Sequence, residues 1–473
     1  MKTRLNYIVR LVVAVVCFGI LATSCGETSR EEILKVYNWG DYIDEDLIPE
    51  FEAWYAEQTG EEVEVIYQTF DINEVMLAKI ENGEADFDVV CPSEYIIERM
   101  MRNELVLPIL TPEFEAEINA KGINYFGCVS PYIKEQFSLL EAPEGVDPNH
   151  YAVGYMWGTT GILYNKAYVT REEAQSWALM FDERLQDKIF VKDAFRDVYS
   201  PILLYAKTLE ARESGLLGED ECLDIDTIHA LMYDSSDESI ALVEGYLKRM
   251  KELVAGWEAD FGKEMMTQEK AWINLMWSGD AVWAIDEASE VDVDLGYEVP
   301  KEGSIVWFDG WVIPKYARNE RAARYFIDYM CMPDNAIRNM DATGYVSVVA
   351  TQEVYDSLEE LCYSEPEVCD LSYFFVNEDG EPLEGSEAVV ADPVLFPDRS
   401  VIARSGVMHD SGDRTDKMLE MWSRVKGDNL SVGMLVGIIV FFTLLLVWGI
   451  WRKVDDYRTK MKLRKRRHHY QRK

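Results

Sequence analysis

Val36-Tyr37-Asn38-Trp39-Gly40-Asp41-Tyr42 is the segment of this 473-residue chain that best indicates its fold. The apolar residues from Ile33 onward predict a short buried strand, and the acidic residues after Tyr42 begin a helix pattern that ends at Gly60. Open α/β folds bind ligands where a strand turns into the N-terminus of a helix. We therefore expect Trp39 and Tyr42 to line a binding crevice.

The alternation of strand and helix continues along the chain. Strand patterns at 62–67 and 87–91 are separated by a helix pattern at 71–82, and the links between them are short. This order predicts a parallel sheet with right-handed crossovers. Two later segments, 150–161 and 305–314, are rich in aromatic residues and glycine, and we expect them to be strands that pass between two α/β lobes.

The charge of the chain limits its partners. The formal net charge is −40, which excludes nucleic acid as a natural partner because phosphate binding requires a basic surface. An acidic body attracts cations and speeds their capture. The alternative is that the acidity only keeps the body soluble.

The N-terminus has the features of a secretory leader. Lys2, Arg4 and Arg10 precede an apolar run at 11–21, and Ala22-Thr23-Ser24-Cys25-Gly26 follows it. Small residues directly before Cys25 resemble a bacterial lipoprotein box, which implies cleavage there and a lipid on the cysteine. The alternative is an ordinary cleaved leader with a bystander cysteine.

The C-terminal region has a second membrane signal. Residues 430–451 are 22 residues without a formal charge, which is enough to span a bilayer as a helix. The segment 452–473 that follows is strongly basic, and the positive-inside rule places such a tail in the cytoplasm. We therefore predict that the body lies on the extracytoplasmic side of the cytoplasmic membrane.

Several motifs together resemble one family, the bacterial spermidine/putrescine receptors, which are extracytoplasmic solute-binding subunits of ABC importers. They occur in the order of that family between about residues 33 and 350. The motifs are Val36-Tyr37-Asn38-Trp39, Cys91-Pro92-Ser93-Glu94-Tyr95, Tyr155-Met156-Trp157-Gly158-Thr159-Thr160-Gly161, Leu275-Met276-Trp277-Ser278-Gly279, Glu302-Gly303-Ser304-Ile305-Val306-Trp307-Phe308-Asp309 and Gly344-Tyr345.

The resemblance implies a type II periplasmic-binding-protein α/β fold, with two lobes that close on a polyamine at a hinged cleft, to which the sequence adds the C-terminal transmembrane helix. We divide the chain into a signal peptide at 1–24, a tether at 25–32, lobe 1 at 33–153 and 309–350, lobe 2 at 154–308 and 351–428, the membrane helix at 430–451 and the basic tail at 452–473.

The resemblance also implies the ligand-binding residues. The aromatic walls would be Trp39, Tyr42, Tyr95, Trp277, Trp307 and Tyr345. The carboxylates for the ammonium groups would be Asp309 and the acids Asp193 and Asp197, with Ser93 as a hydrogen-bond acceptor. We expect Glu94 and Asp41 to face solvent at the rim of the cleft.

These residue types suit a polyamine, which has ammonium groups separated by methylenes. Trp and Tyr offer apolar contact and cation–π attraction of roughly 0.5–2 kcal/mol per contact. A desolvated ammonium without a partner costs several kcal/mol, so carboxylates are needed. Each residue has a structural alternative: the tryptophans as lobe core, Asp193 and Asp197 as a helix cap or partners of Arg196, and Ser93 as a helix N-cap.

We predict a binding protein and no enzyme. Only five histidines occur, and neither an HExxH, a GxSxG nor a glycine-rich phosphate loop is found. No cofactor and no metal site is predicted. The expected partners are a polyamine, the permease and ATPase subunits of an ABC transporter, and the membrane. The alternative function is a membrane-tethered binder or sensor of another small organic cation.

Overall fold

The computed structural model of the chain describes residues 29–83, 86–219, 221–259, 261–377, 379–427, 440–449 and 451–453. The predicted leader, Cys25 and most of the basic tail lie outside these residues. The chain divides into two compact units, Met1–Thr415 and Asp416–Lys473. The first unit contains the sheets and all the predicted site residues.

The described strands form one 12-stranded sheet and a separate two-stranded sheet. The main path through the large sheet is β2-β1-β3-β10-β5-β8-β6-β7. The strands are β1 Ile33–Trp39, β2 Glu64–Phe70, β3 Val89–Val90, β4 Val106–Leu107, β5 Ala152–Asn165, β6 Ile189–Lys192, β7 Val254–Glu258, β8 Ile273–Trp277, β9 Leu295–Glu298, β10 Ser304–Pro314, β11 Val346–Ser347, β12 Glu367–Cys369, β13 Val389–Ala391 and β14 Ser405–Gly406.

Helices connect these strands and cover the sheet. The described α-helices are Leu47–Thr59, Asn73–Glu81, Glu94–Arg102, Pro112–Lys121, Pro131–Ser138, Arg171–Ala174, Phe195–Glu213, Ile225–Met232, Asp237–Lys251, Gly262–Thr267, Ser278–Ser289, Glu320–Met330, Pro333–Thr343, Gln352–Asp356, Arg399–Ile402 and Thr415–Gly427, and residues 440–449 are also helical.

Local sequence signals explain several of these boundaries. The first helix ends at Thr59 because Gly60 adopts a left-handed conformation with φ 74°, and its N–H bonds back to the carbonyl of Ala56. The side chain of Asn319 accepts a hydrogen bond from the N–H of Ala322 and caps the helix Glu320–Met330. The predicted end of the first helix at Gly60 is confirmed.

The predicted parallel sheet is confirmed at its start, where β1 pairs in parallel with β2 and with β3. Two long strands then join the two halves of the sheet. β10 is antiparallel to both β3 and β5, and β5 continues into antiparallel pairing with β8. All residues of β5 and β10 are buried. The crossing strands therefore hold together the two groups of parallel strands, while the lobe boundaries themselves stay a prediction.

The predicted membrane-spanning helix requires a correction. Residues 430–439 and 450 lie outside the described residues, and residues 440–449 and 451–453 are helical. Of the helices that the structure describes, none is both long enough and apolar enough to cross a membrane. This finding overturns the transmembrane helix of the predicted fold.

Candidate functional site

Asp309 lies in the middle of β10, at the point where its register against β5 shifts. Its carboxylate is 6% exposed and accepts two hydrogen bonds, from the Tyr42 hydroxyl at 2.9 Å and from the Ser93 hydroxyl at 2.7 Å. An isolated β-bridge also joins Ser93 to Asp309. The turn after β1, the segment after β3 and the strand β10 thus meet at one carboxylate whose hydrogen-bond donors are neutral hydroxyls.

Burial changes the titration of this carboxyl group. Desolvation raises the pKa of Asp309 to about 7, the hydrogen bonds from Ser93 and Tyr42 counteract this shift, and the charge of Asp197 adds to it. Desolvation likewise raises the pKa of Asp197 to about 6, against the hydrogen bond from Trp277. Burial therefore favours the neutral form of both carboxyl groups, and a cation that pairs with them would favour the ionised form.

Asp197 lies in the first turn of the helix Phe195–Glu213, next to the end of β8. The indole N–H of Trp277 donates to its carboxylate at 2.8 Å. The other predicted acid, Asp193, is exposed, and its backbone N–H bonds to the carbonyl of Glu258. The structure thus brings Asp197 and Trp277 together and places Asp193 toward solvent.

Tyr345 connects the aromatic residues. Its ring centroid is 5.1 Å from that of Tyr42 and 5.5 Å from that of Trp307. The Tyr345 ring packs directly on Gly279, where a Cβ atom would lie 2.3 Å from the ring carbon Cδ1. The Tyr345 hydroxyl donates to Asp280 at 2.9 Å. We call the residues Tyr42, Ser93, Asp197, Trp277, Trp307, Asp309 and Tyr345 the aromatic–acidic cluster.

Tyr95 reaches this cluster through Asn73, which the sequence analysis missed. The Asn73 amide donates to the Tyr95 hydroxyl at 2.9 Å and to the Ser93 hydroxyl at 3.0 Å. Trp39 is half-buried and packs against Phe70, with ring centroids 4.4 Å apart. The buried indole nitrogen of Trp39 has no hydrogen-bond partner among the described residues.

The contacts of Ser93 and Arg196 test the alternative roles that the sequence allowed for them, a helix N-cap for Ser93 and pairing with Asp193 or Asp197 for Arg196. Ser93 precedes the helix Glu94–Arg102, but its side chain makes no capping hydrogen bond there and donates to Asp309 instead. Arg196 forms ion pairs with Glu74 at 3.8 Å and Asp410 at 4.0 Å. Ser93 and Arg196 therefore have partners other than those the structural alternatives named.

The expectation that Glu94 faces solvent at the rim of the cleft is wrong. Its side chain is 1% exposed because β10 covers the start of the helix, and its Oε2 accepts a hydrogen bond from the N–H of Phe308 at 3.0 Å. Its Oε1 has no hydrogen-bond partner among the described residues. Desolvation, then the charges of Asp309 and Asp197, raise the pKa of Glu94 well above its usual value. Asp41 is exposed, as expected.

A buried ion pair that the sequence did not predict lies beside the cluster. The ammonium of Lys192 lies 2.5 Å from Asp280 and 3.4 Å from Glu258. Both positions carried a signal, because Lys192 ends a buried strand and Asp280 follows Trp277 by three residues at the start of a helix. In the described ranges, no group of three or more His, Cys, Asp or Glu side chains has an arrangement that could hold a metal ion.

Comparison with known proteins identifies the family that this chain matches. The family model for bacterial extracellular solute-binding proteins matches residues 48–360. The spermidine/putrescine-binding periplasmic protein of Salmonella typhimurium is 24% identical over 86% of this chain and 95% of its own length. The putrescine-binding periplasmic protein PotF of Escherichia coli is 27% identical over 70% of this chain and 81% of its own length.

Solved structures agree with this assignment. The spermidine/putrescine ABC transporter substrate-binding protein PotD of Streptococcus pneumoniae is 25% identical, with a TM-score of 0.56 over 84% of this chain and 98% of that one. The neighbours support the predicted type II periplasmic-binding-protein-like α/β architecture and an extracytoplasmic binding domain, and the matching family comprises solute-binding proteins, which are not an enzyme class. This chain belongs to the family of bacterial extracellular solute-binding proteins.

Proposed function

We propose that this protein is the receptor of an ABC importer and captures polyamines, putrescine or spermidine, for delivery to the permease. The observation that carries the proposal is the buried carboxylate of Asp309, which is hydrogen-bonded by the hydroxyls of Tyr42 and Ser93. The rings of Trp307 and Tyr345 lie beside it. The named relatives bind spermidine and putrescine, and the acidic, aromatic composition of the cluster supports the same ligand class here.

The chemistry of such a ligand matches the two kinds of side chain in the cluster. A ligand ammonium would replace its hydration with the carboxylates of Asp309 and Asp197, since a buried ammonium needs charged partners. The methylene stem would pack against the faces of Trp277, Trp307 and Tyr345, which also attract the cation. Binding is reversible and involves no chemical step on the ligand.

Access to the site would require movement. Asp309 and Asp197 are only 6% and 8% exposed, so a ligand reaches them when the parts of the protein around the cluster separate. We propose that the two predicted lobes open for entry and that ligand contacts to both favour closure. The permease would then recognise the closed state.

We propose that all the ligand-binding residues predicted from the sequence contact the ligand: Trp39, Tyr42, Ser93, Tyr95, Asp193, Asp197, Trp277, Trp307, Asp309 and Tyr345. The contacts give unequal support to them. The seven members of the aromatic–acidic cluster have the strongest support, Tyr95 has indirect support through Asn73, and Trp39 and Asp193 rest on the sequence.

We also propose that Cys25 carries the lipid that anchors the extracytoplasmic domain to the cytoplasmic membrane. The lipoprotein-like residues before Cys25 support this. Metabolic labelling with a radioactive fatty acid should label the wild-type protein and leave a Cys25→Ser variant unlabelled. Equal labelling of both proteins would contradict the anchor.

The test of the site is a matched pair of substitutions. Asp309→Asn should weaken polyamine binding at least about 30-fold, because removing one partner of a buried charge pair costs roughly 2–5 kcal/mol. Asp328→Asn is the control, because burial raises the pKa of Asp328 to about 8 and its carboxylate accepts a hydrogen bond from the N–H of Tyr125, away from the cluster. Calorimetric affinities within a few-fold of wild type for Asp309→Asn would contradict the proposed anchor.

A further inference from the structure

Lys192 is a completely buried cation beside the aromatic–acidic cluster. It ends β6 with 0% exposure, and its ammonium lies 2.5 Å from Asp280, 3.4 Å from Glu258 and 3.1 Å from the carbonyl of Ala259. A buried ammonium keeps its charge only with partners of this kind. Burial alone would lower the pKa of Lys192, but Asp280 and Glu258 outweigh burial and raise it. Lys192 is therefore charged and fixed in position.

The surroundings of Lys192 are those that a ligand ammonium would require. Its ammonium lies 4.4 Å from the ring centroid of Trp277, a cation–π contact. The Asp280 carboxylate that binds it also accepts a hydrogen bond from the hydroxyl of Tyr345 at 2.9 Å. Trp277 and Tyr345 are both members of the cluster. The chain thus places an ammonium of its own against Trp277 and links it to Tyr345 through Asp280.

The carboxylates around Asp309 have no such cation. None of the ion pairs among the described residues includes Asp309 or Asp197. The hydrogen bonds to Asp309 come from hydroxyls, and the bond to Asp197 comes from the Trp277 indole. The Oε1 atom of Glu94, 1% exposed, has no hydrogen-bond partner in the described part of the chain. Among the described residues, no side-chain cation pairs with Asp309 or Glu94, whereas the charge of Lys192 already acts on Asp197. A ligand ammonium would therefore supply the missing cation at the Asp309 end.

Asp280, in contrast, is doubly compensated. Besides Lys192, the ammonium of Lys263 lies 3.7 Å from it. Burial would raise the pKa of Asp280, but the charges of Lys192 and Lys263 outweigh burial and lower it. A further ligand ammonium at this end would meet a like charge that already holds the carboxylate and one face of Trp277.

We propose that Lys192 is a built-in ammonium that occupies one end of the ligand site and makes the site select a short diamine over a longer polyamine. This inference rests on the proposed function and narrows its substrate class. Asp309, Asp197 and Glu94 satisfy the two ammonium groups of a diamine. The third ammonium of a triamine would lose its hydration near Lys192, where no carboxylate is free to pair with it. The charge of Lys192 would repel it, so the site would select against the triamine.

The test titrates the full chain with putrescine, a diamine, and spermidine, a triamine. The wild-type protein should bind putrescine at least about tenfold more tightly. The Lys192→Met/Asp280→Asn double variant removes both charges together and leaves Glu258 to accept an ammonium, and its preference for putrescine should fall at least about fivefold. Lys188→Met is the control, because the Lys188 ammonium also lies over a tryptophan, 5.1 Å from the ring centroid of Trp272, but its hydrogen bond goes to the carbonyl of Lys270. Its preference should equal that of the wild type.

Equal affinity of the wild-type protein for both amines, or an unchanged preference in a folded double variant, would overturn the inference while leaving the proposed function intact. Should the double variant fail to fold, as judged by circular dichroism, the wild-type preference alone decides. If the folded wild-type protein binds neither amine, the proposed function fails and the inference fails with it.

Discussion

The titration of single buried carboxylates follows from their surroundings. Asp309 has a pKa of about 7 in the folded, ligand-free protein, because burial outweighs the hydrogen bonds of Ser93 and Tyr42, whereas its ordinary value is 3.8. Between about pH 4 and pH 7 the folded protein keeps a proton that the unfolded chain releases. The stability contributed by this group is therefore complete below pH 4 and is lost as the pH rises through 7.

Ligand binding should have the opposite pH dependence. A cation binds to the ionised carboxylate, so at pH 6 only about a tenth of the Asp309 groups are ready to bind, and binding releases a proton. The affinity for putrescine should be about tenfold higher at pH 8 than at pH 6, with Asp197 and Glu94 increasing this difference. Calorimetry in buffers of different ionisation enthalpy measures both the affinity and the proton release. An affinity that stays constant between pH 6 and pH 8 would contradict this account.

The sequence predicted some of these residues and missed others for a physical reason. Asp309 was predicted because it ends a motif, Glu302 to Asp309, that resembles the spermidine/putrescine receptors. Glu94 was missed because its burial comes from β10, which lies more than 200 positions further along the chain. Lys192 was missed because its partners Asp280 and Glu258 belong to other elements.

Glycine at the start of one helix allows the aromatic residues to meet. Gly279 lies in the first turn of the helix Ser278–Ser289, directly after β8, and the Tyr345 ring packs on it. A Cβ atom at this position would lie 2.3 Å from the Tyr345 Cδ1 atom, so the ring would have to move. The contacts of Tyr345 with Asp280, Trp307 and Tyr42 depend on this close approach.

Two glycine substitutions test whether binding depends on the packing of Tyr345 against Gly279. Gly279→Ala should displace Tyr345, weaken putrescine binding at least about tenfold and lower the free energy of unfolding by roughly 1–3 kcal/mol, as overpacking does. Gly245→Ala is the control: Gly245 lies in the helix Asp237–Lys251, and a Cβ atom added there would have nothing within 4 Å. This change should leave binding unaltered and stabilise the protein by roughly 0.5–1 kcal/mol. Urea unfolding and calorimetry measure these effects, and unchanged binding in Gly279→Ala would refute the role of this contact.

Element positions were predicted best where the sequence pattern was local. The strand pattern at 87–91 and the helix pattern at 71–82 correspond to β3 and to the helix Asn73–Glu81, because hydrophobic periodicity acts over a few residues. The described part of 352–395 has only short elements, such as the paired β12 and β13. Their pairing depends on long-range contacts that a local pattern does not contain.

At the scale of the molecule, a ligand that binds only the folded state has to stabilise it. Putrescine at 100 times its dissociation constant should add about 2.7 kcal/mol to the free energy of unfolding. A rise of a few degrees in the melting temperature is expected for a domain of this size. Scanning calorimetry with and without putrescine measures the rise. Maltose should give none, and a rise of equal size in Asp309→Asn would show that the amine acts elsewhere.

The predicted membrane helix was wrong: no helix that the structure describes is both long enough and apolar enough for a span. The α/β architecture was predicted correctly, because strand–helix alternation and the ordered motifs extend over most of the chain.

A calorimetric titration of the purified full chain with putrescine at pH 8 tests directly whether the aromatic–acidic cluster binds polyamines. Maltose and arginine are the controls. Saturable binding with a dissociation constant in the micromolar range or tighter, no response to maltose and a much weaker response to arginine are the predicted results. A folded protein, freed of co-purified ligand by refolding, that gives no heat with putrescine or spermidine would contradict the assignment of the aromatic–acidic cluster as a polyamine site.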